Sequence, residues 1–138
     1  MKKILLVFLM IVAVLVTGCS VSEVPKTDGD ARVVIKINAK EAKTRLDSEE
    51  GIILVDVRTP EEFREGHIPD AILIPVDEIA AKAETVIPDK EANYFIYCRS
   101  GNRSATAASQ LVDMGYQKIY DLGGINDWPY EKETGDEQ

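Results

Sequence analysis

The sequence predicts a single α/β domain built on a mainly parallel five-stranded sheet with helices on both faces. Three observations carry that prediction. Segments of strand and helix character alternate along residues 33–122. The strand segments are short and apolar, and 52–55 (Ile-Ile-Leu-Val) and 94–97 (Tyr-Phe-Ile-Tyr) are continuous runs of the kind found in strands covered on both faces. The length of 138 residues, with 45% hydrophobic and 29% charged residues, suits one domain with a packed core. Such alternation gives parallel strands joined by helical crossovers.

The elements follow in order. Residues 33–37 are β-branched and short, an edge strand. Asn38 caps a helix running to about residue 50, with Ala42 and Leu46 on one face, and Gly51 ends it. Residues 52–55 are the second strand. Thr59-Pro60-Glu61-Glu62 opens another helix: Thr as cap, Pro at the first helical position, acids in the first turn. Residues 71–74 form a third strand, and 77 to about 86 are helical, closed by Pro88. Residues 94–97 are the fourth strand. Residues 104–114 form a helix with Ala105, Ala108, Leu111 and Val112 inward, ended by Gly115. Residues 118–122 are the fifth strand, which Gly123-Gly124 breaks. Ligands of such sheets bind beyond the carboxyl ends of the strands, so chemistry is expected just after Val57, Tyr97 or Leu122.

Charge and composition exclude several classes. Sixteen Lys and Arg against 24 Asp and Glu give a net charge of −8, a poor basis for neutralising nucleic-acid phosphates. Two cysteines and one histidine cannot build a four-ligand Cys/His zinc site or a disulfide framework. No metal or other cofactor is called for.

The N-terminus reads as an address. Met1-Lys2-Lys3 precedes 13 apolar residues, 4–16, short of the roughly 20 a spanning helix needs. Val16-Thr17-Gly18-Cys19 resembles the lipobox of bacterial lipoprotein precursors. The resemblance implies a signal peptide over 1–18, cleavage before Cys19, and acylation of its thiol and new amino group. Residues 19–31 then form a lipidated, flexible tether, 32–130 the domain, and 131–138 an acidic tail, solvated and frayed. The domain would lie outside the cytoplasm, anchored to the cell membrane. Cleavage removes two lysines and no acid, deepening the side-chain charge from −8 to −10. Cys98 is then a lone thiol in a compartment where disulfides form, either inert or kept for its reactivity.

Its neighbours favour reactivity. Cys98-Arg99-Ser100-Gly101-Asn102-Arg103-Ser104 joins a buried strand to a helix. A thiol at a helix N-terminus feels the positive end of the dipole, and two arginines lie within five residues. Both effects favour thiolate, the nucleophilic form. Gly101 and Asn102 tolerate positive φ, so the loop can curl around the sulfur with its N–H groups inward as an anion nest.

Four pieces, in order, resemble the single-domain rhodaneses. They are Asp56-Val57-Arg58, Gly66-His67-Ile68-Pro69 with Ala71, the Cys98–Ser104 loop, and Gly123-Gly124 followed by Trp128. They span most of residues 33–130. The resemblance implies a sulfurtransferase in which the Cys98 thiolate takes sulfane sulfur from thiosulfate or a related anionic donor. A Cys98 persulfide, held by the N–H groups of 99–103, then passes it to cyanide or a thiol. Arg99 would orient the donor. Arg103 would do the same, or fold back onto a carboxylate such as Asp56. Asp56 reads as a loop brace, Arg58 as either pocket mouth or surface, His67 as a turn histidine bonded to backbone, and Trp128 as packing. Asp70 stands where the family often has Gly, and Asp tolerates unusual turn dihedrals.

Two other functions stay open: a persulfide carrier or interaction module serving a protein partner, and a phosphatase or arsenate reductase of the same fold. The second is disfavoured by loop length, since four residues separate Cys98 from Arg103 where fold-related phosphatases place five. The physiological donor and acceptor, the oligomeric state and the choice of membrane are not legible.

Overall fold

A computed structural model describes residues 32–136. The expected signal peptide, 1–18, and the expected tether, 19–31, lie outside the described residues. The sheet order is β1-β5-β4-β2-β3, and every pairing is parallel. The strands are β1 (Ile35–Lys36), β2 (Ile52–Asp56), β3 (Ile72–Leu73), β4 (Asn93–Cys98) and β5 (Lys118–Gly124). Between them run α1 (Ala39–Ser48), α2 (Pro60–Glu65), α3 (Ile79–Val86) and α4 (Asn102–Asp113), with 3-10 turns at Val76–Glu78 and Ile125–Asp127.

Helices cover both faces, as the apolar strands require. Ala42 of α1 and Phe63 of α2 pack on one face with Leu54, Phe95 and Tyr97. Ile79 and Ala83 of α3 and Ala108 and Leu111 of α4 pack on the other with Val55, Tyr94 and Ile96. Adjacent β4 residues thus divide between the faces by the two-residue period of a strand. The caps are local chemistry. The Asn38 side chain accepts the Glu41 N–H. Thr59 and Glu62 form a reciprocal capping box ahead of a chain held by Pro60 at the helix start.

Three local expectations change. Gly123-Gly124 does not break β5: Tyr97 pairs with Gly123 and Cys98 with Gly124, after a bulge that skips Leu122. The strand therefore runs on beneath the loop that follows β4. A Cβ at Gly124 would sit 2.5 Å from the Arg99 carbonyl oxygen and 2.8 Å from the Ser100 Cα, so only a bare backbone fits. The tail is not frayed throughout. Its side chains at 131–134 are exposed, but Glu133 exchanges both backbone hydrogen bonds with His67 at 2.8 Å, and the Gly135 N–H reaches the Arg64 carbonyl. Helix α4 begins two residues before residue 104, because Gly101 turns the chain directly into it. Asp70 adopts φ +64, the left-handed conformation foreseen for a residue in a position often held by glycine.

Gly124→Ala should lower stability by about 1–3 kcal/mol, because backbone rather than a flexible side chain must yield. A fall in the urea midpoint at unchanged slope would register this. An unchanged midpoint would mean that the close approach costs nothing.

Candidate active site

Cys98 ends β4 with its side chain only 1% exposed, at the margin of the core beneath α3 and α4. Its Sγ accepts the Gly101 N–H at 3.0 Å. Gly101 takes φ +106 and is the N-cap of α4, so the sulfur sits at the first turn of a 12-residue helix. Of the expected ring of amides, Gly101 supplies the N–H bonded to sulfur among the described residues. Asn102 does not share the positive φ: it is the first residue of α4.

Strand β5 holds the loop from below. The buried Asp121 carboxylate accepts the Ser104 hydroxyl at 2.7 Å and the Gly123 N–H at 3.0 Å. The same hydroxyl lies 3.0 Å from the Gly101 carbonyl, and the Asn126 N–H reaches the Arg99 carbonyl at 3.2 Å. The two ends of the turn are therefore tied to β5 and to the 3-10 turn that follows it, the stretch that Gly124 allows to pass beneath.

The arginines are engaged. Arg103 makes a two-pronged pair with Glu62, at 2.6 and 2.8 Å. Arg99, with 65% of its side chain exposed, lies 3.7 Å from the same carboxylate. Arg103 does not fold back onto Asp56, because Arg58 already occupies Asp56 through its backbone N–H and three guanidinium contacts. Arg58 also donates to the Gly66 carbonyl at 2.8 Å and is buried, so it lies neither loose at the surface nor free in the pocket. Arg103 holds the Glu62 carboxyl down at about 2. In return Glu62 raises the Arg103 guanidinium, and the Cys98 sulfur adds to that.

Sequence reasoning missed the buried brace Asp121 and, as a site residue, Glu62. Its signal, Thr-x-x-Glu, announces a helix start, and nothing local announces a partner 41 residues away. His67 is buried, stacked on Phe63 at 3.7 Å with Nδ1 2.9 Å from the Phe63 carbonyl oxygen. Trp128 is buried edge-on to Tyr130 and donates to the Glu131 carbonyl.

Two openings flank the loop. A groove of about 710 Å³ borders Ser100, Gly101 and Asn102 on the β1 side. A smaller cleft of about 190 Å³ is lined by Arg58, Glu62, Glu65, Arg99 and Lys132. Among the described residues no cluster of three or more His, Cys, Asp or Glu could hold a metal ion. The arrangement offers a sulfur nucleophile at a helix N-terminus beside a braced guanidinium, which suits attack on an anion.

The rhodanese-like domain model matches residues 38–131. A sulfurtransferase of Allochromatium vinosum is 38% identical over 97 residues, covering 70% of this chain and 89% of that protein. The thiosulfate sulfurtransferase PspE of Escherichia coli is 36% identical over 81 residues, covering 59% of this chain and 78% of its own. A rhodanese-like domain protein from Staphylococcus aureus superposes with a TM-score of 0.66 at 34% identity, over 75% of this chain and 100% of that one. An E. coli structure described as a rhodanese with anions gives 0.58 at 34% identity, over 61% and 99%.

The Glu62 pair sets an acid limit. Its carboxyl is held at about 2 in the folded chain against an ordinary 4.5. Its contribution is therefore full above about 4.5 and is lost as pH falls toward 2. Glu62→Gln should cost about 1–2 kcal/mol at neutral pH. The difference between wild type and variant should shrink in urea titrations taken through that window. A constant difference from pH 7 to pH 2 would rule the pair out as its source.

Proposed function

This chain belongs to the rhodanese-like domain family, and on that premise we propose that it transfers sulfane sulfur through a persulfide on Cys98. The observation that carries the reading is the Cys98 Sγ at the N-terminus of α4, bonded to the Gly101 N–H. That amide and the helix dipole favour negative charge on sulfur, in the attacking nucleophile and in the loaded persulfide alike.

The thiolate attacks the outer sulfur of thiosulfate in line with the S–S bond. The bond to the sulfonate sulfur breaks, its electron pair leaves with sulfite, and the Cys98 persulfide anion forms. The terminal sulfur then moves to cyanide or a thiolate, giving thiocyanate or a new persulfide and restoring the thiolate. Three negative charges enter the first step and three leave it. The step draws on the thiolate form of Cys98 and so needs no general base at the sulfur. Burial of Cys98 suits a slim donor whose outer sulfur can reach past the loop. Arg99, exposed at the mouth and held only by a 3.7 Å contact with Glu62, is the arginine that turns toward the donor. Arg103 serves the loop instead, through Glu62. Ser100, Gly101 and Asn102 contribute the turn itself, and Asp56 with Arg58 braces the neighbouring strand end. PspE, a thiosulfate sulfurtransferase by name, and the E. coli rhodanese described with anions support an anionic donor.

The N-terminal reading completes the proposal. Cys19 carries lipid after cleavage and holds the domain at the outer face of a cell membrane, a reading supported by the charged start, apolar run and box of residues 1–19.

Thiosulfate should add the mass of one sulfur atom to the intact protein, and cyanide should remove it. Cys98→Ser should show neither step and should form no thiocyanate. A mass gain that survives in Cys98→Ser would remove Cys98 from the mechanism. Cys19→Ser should shift the protein from the membrane to the soluble fraction at undiminished specific activity. Retention on the membrane would refute the lipid anchor.

A further inference from the structure

The small cleft beside Arg99 carries more information than the loop sequence does. Its charges largely cancel in pairs. Arg58 is neutralised by Asp56 at 2.6 Å, and Arg103 by Glu62. Arg99 leans on that same Glu62 at 3.7 Å. Two side chains lining the cleft remain without an ion pair among the described residues: Glu65 and Lys132. Without Lys132, cations and carboxylates around the cleft are equal in number. With it, the cleft is positive. One lysine therefore tips the balance of charges lining the cleft toward positive, in a chain whose overall charge is −8.

Lys132 belongs to the tail, not to the catalytic loop. It reaches the cleft because the chain after Trp128 returns across α2. Glu133, its neighbour, is locked to His67 by two backbone bonds of 2.8 Å, and Gly135 is tied to Arg64. His67 is itself held by stacking on Phe63. The lone histidine thus acts as the post to which this wall of the cleft is fastened, and the lysine stem projects from a fixed backbone rather than a frayed end.

We propose that Lys132 is a specificity residue: with Arg99 it forms the docking site for the sulfonate end of a dianionic donor, and it favours dianions over monoanions. The inference rests on the sulfur-transfer reading and names its donor class. The cleft of about 190 Å³ has room for a small oxyanion between the two cations, beside Arg99, the residue that follows Cys98 in the loop. The transfer itself is unchanged. The Cys98 thiolate forms the new S–S bond, the donor's own S–S bond breaks, and the electron pair leaves with sulfite, which Lys132 and Arg99 retain until it diffuses away. An exposed lysine facing a dianion at such a mouth is worth roughly a factor of five in affinity, and about twofold for a monoanion.

The full-length chain decides it. Lys132→Met should raise the KM for thiosulfate about fivefold and that for a monoanionic aryl thiosulfonate about twofold. In both cases kcat and the urea midpoint should stay where they were. Lys132→Arg should restore the wild-type KM. Sulfite binding, followed by calorimetry without turnover, should weaken by the same factor as thiosulfate. An unchanged thiosulfate KM and sulfite affinity in Lys132→Met would overturn the inference while leaving sulfur transfer intact. Equal losses for both donors together with a lower kcat, or no rescue by arginine, would also overturn it by assigning Lys132 a structural role. If the wild type forms no thiocyanate yet Lys132→Met still weakens sulfite binding, the transfer reading fails and the anion site stands.

Discussion

Gly124 has no side chain, and the Arg99 and Ser100 backbone occupies the space one would fill. That absence lets β5 continue under the turn that follows β4, where Asp121 accepts the Ser104 hydroxyl and Asn126, just past the strand, donates to the Arg99 carbonyl. The turn is then held from below at both ends. Its one left-handed residue, Gly101, aims its N–H at the Cys98 sulfur and starts α4 at once. Backbone position, helix dipole and nucleophile are consequences of a single close approach between a strand end and a loop. Strand-end sites in parallel sheets have this general form: the fold brings backbone amides and helix starts to one edge, and side chains complete the chemistry.

The charges obey a different logic from the one the loop sequence suggests. Two arginines near a cysteine suggest a strongly positive nest. In the folded chain both reach Glu62, which draws Arg103 into a brace between α2 and α4 and leaves Arg99 extended at the surface. The loop gains rigidity and loses part of its field. What remains local to sulfur is the amide and the helix terminus, which salt and distant carboxylates screen least. The surrounding elements supply the other charges at the mouth, and of the returning tail Lys132 lines the cleft there.

The fold was legible where local chemistry and burial agree. Asn38 and Thr59 announce helices through side chains that bond their own backbone, and the run at 94–97 announces a strand covered on both faces. The order of motifs led to a family whose domain model matches the chain. The misreadings have one cause: contacts distant in sequence. Gly123-Gly124 looks like a terminator because glycine is poor in strands, and only the proximity of Arg99 makes it a requirement. The tail looks frayed because it is acidic, and only its backbone bonds to His67 and Arg64 pin it. Glu62 looks like a helix cap, which it is, but the pairing with Arg103 appears only once α2 and α4 are packed. In the site itself, the positions of Cys98 and Gly101 followed from the strand-loop-helix pattern, whereas the partners of the arginines did not.

The central claim is that the loop sets the Cys98 sulfur, the proposed nucleophile, in a locally positive setting. Competitive alkylation of the native protein by iodoacetate and iodoacetamide tests it most directly, since the two reagents differ chiefly in charge. The account predicts that Cys98 favours the anionic reagent relative to free cysteine, and that the preference disappears in urea. A preference equal to or below that of free cysteine, or a sulfur that neither reagent reaches until the protein unfolds, would contradict it.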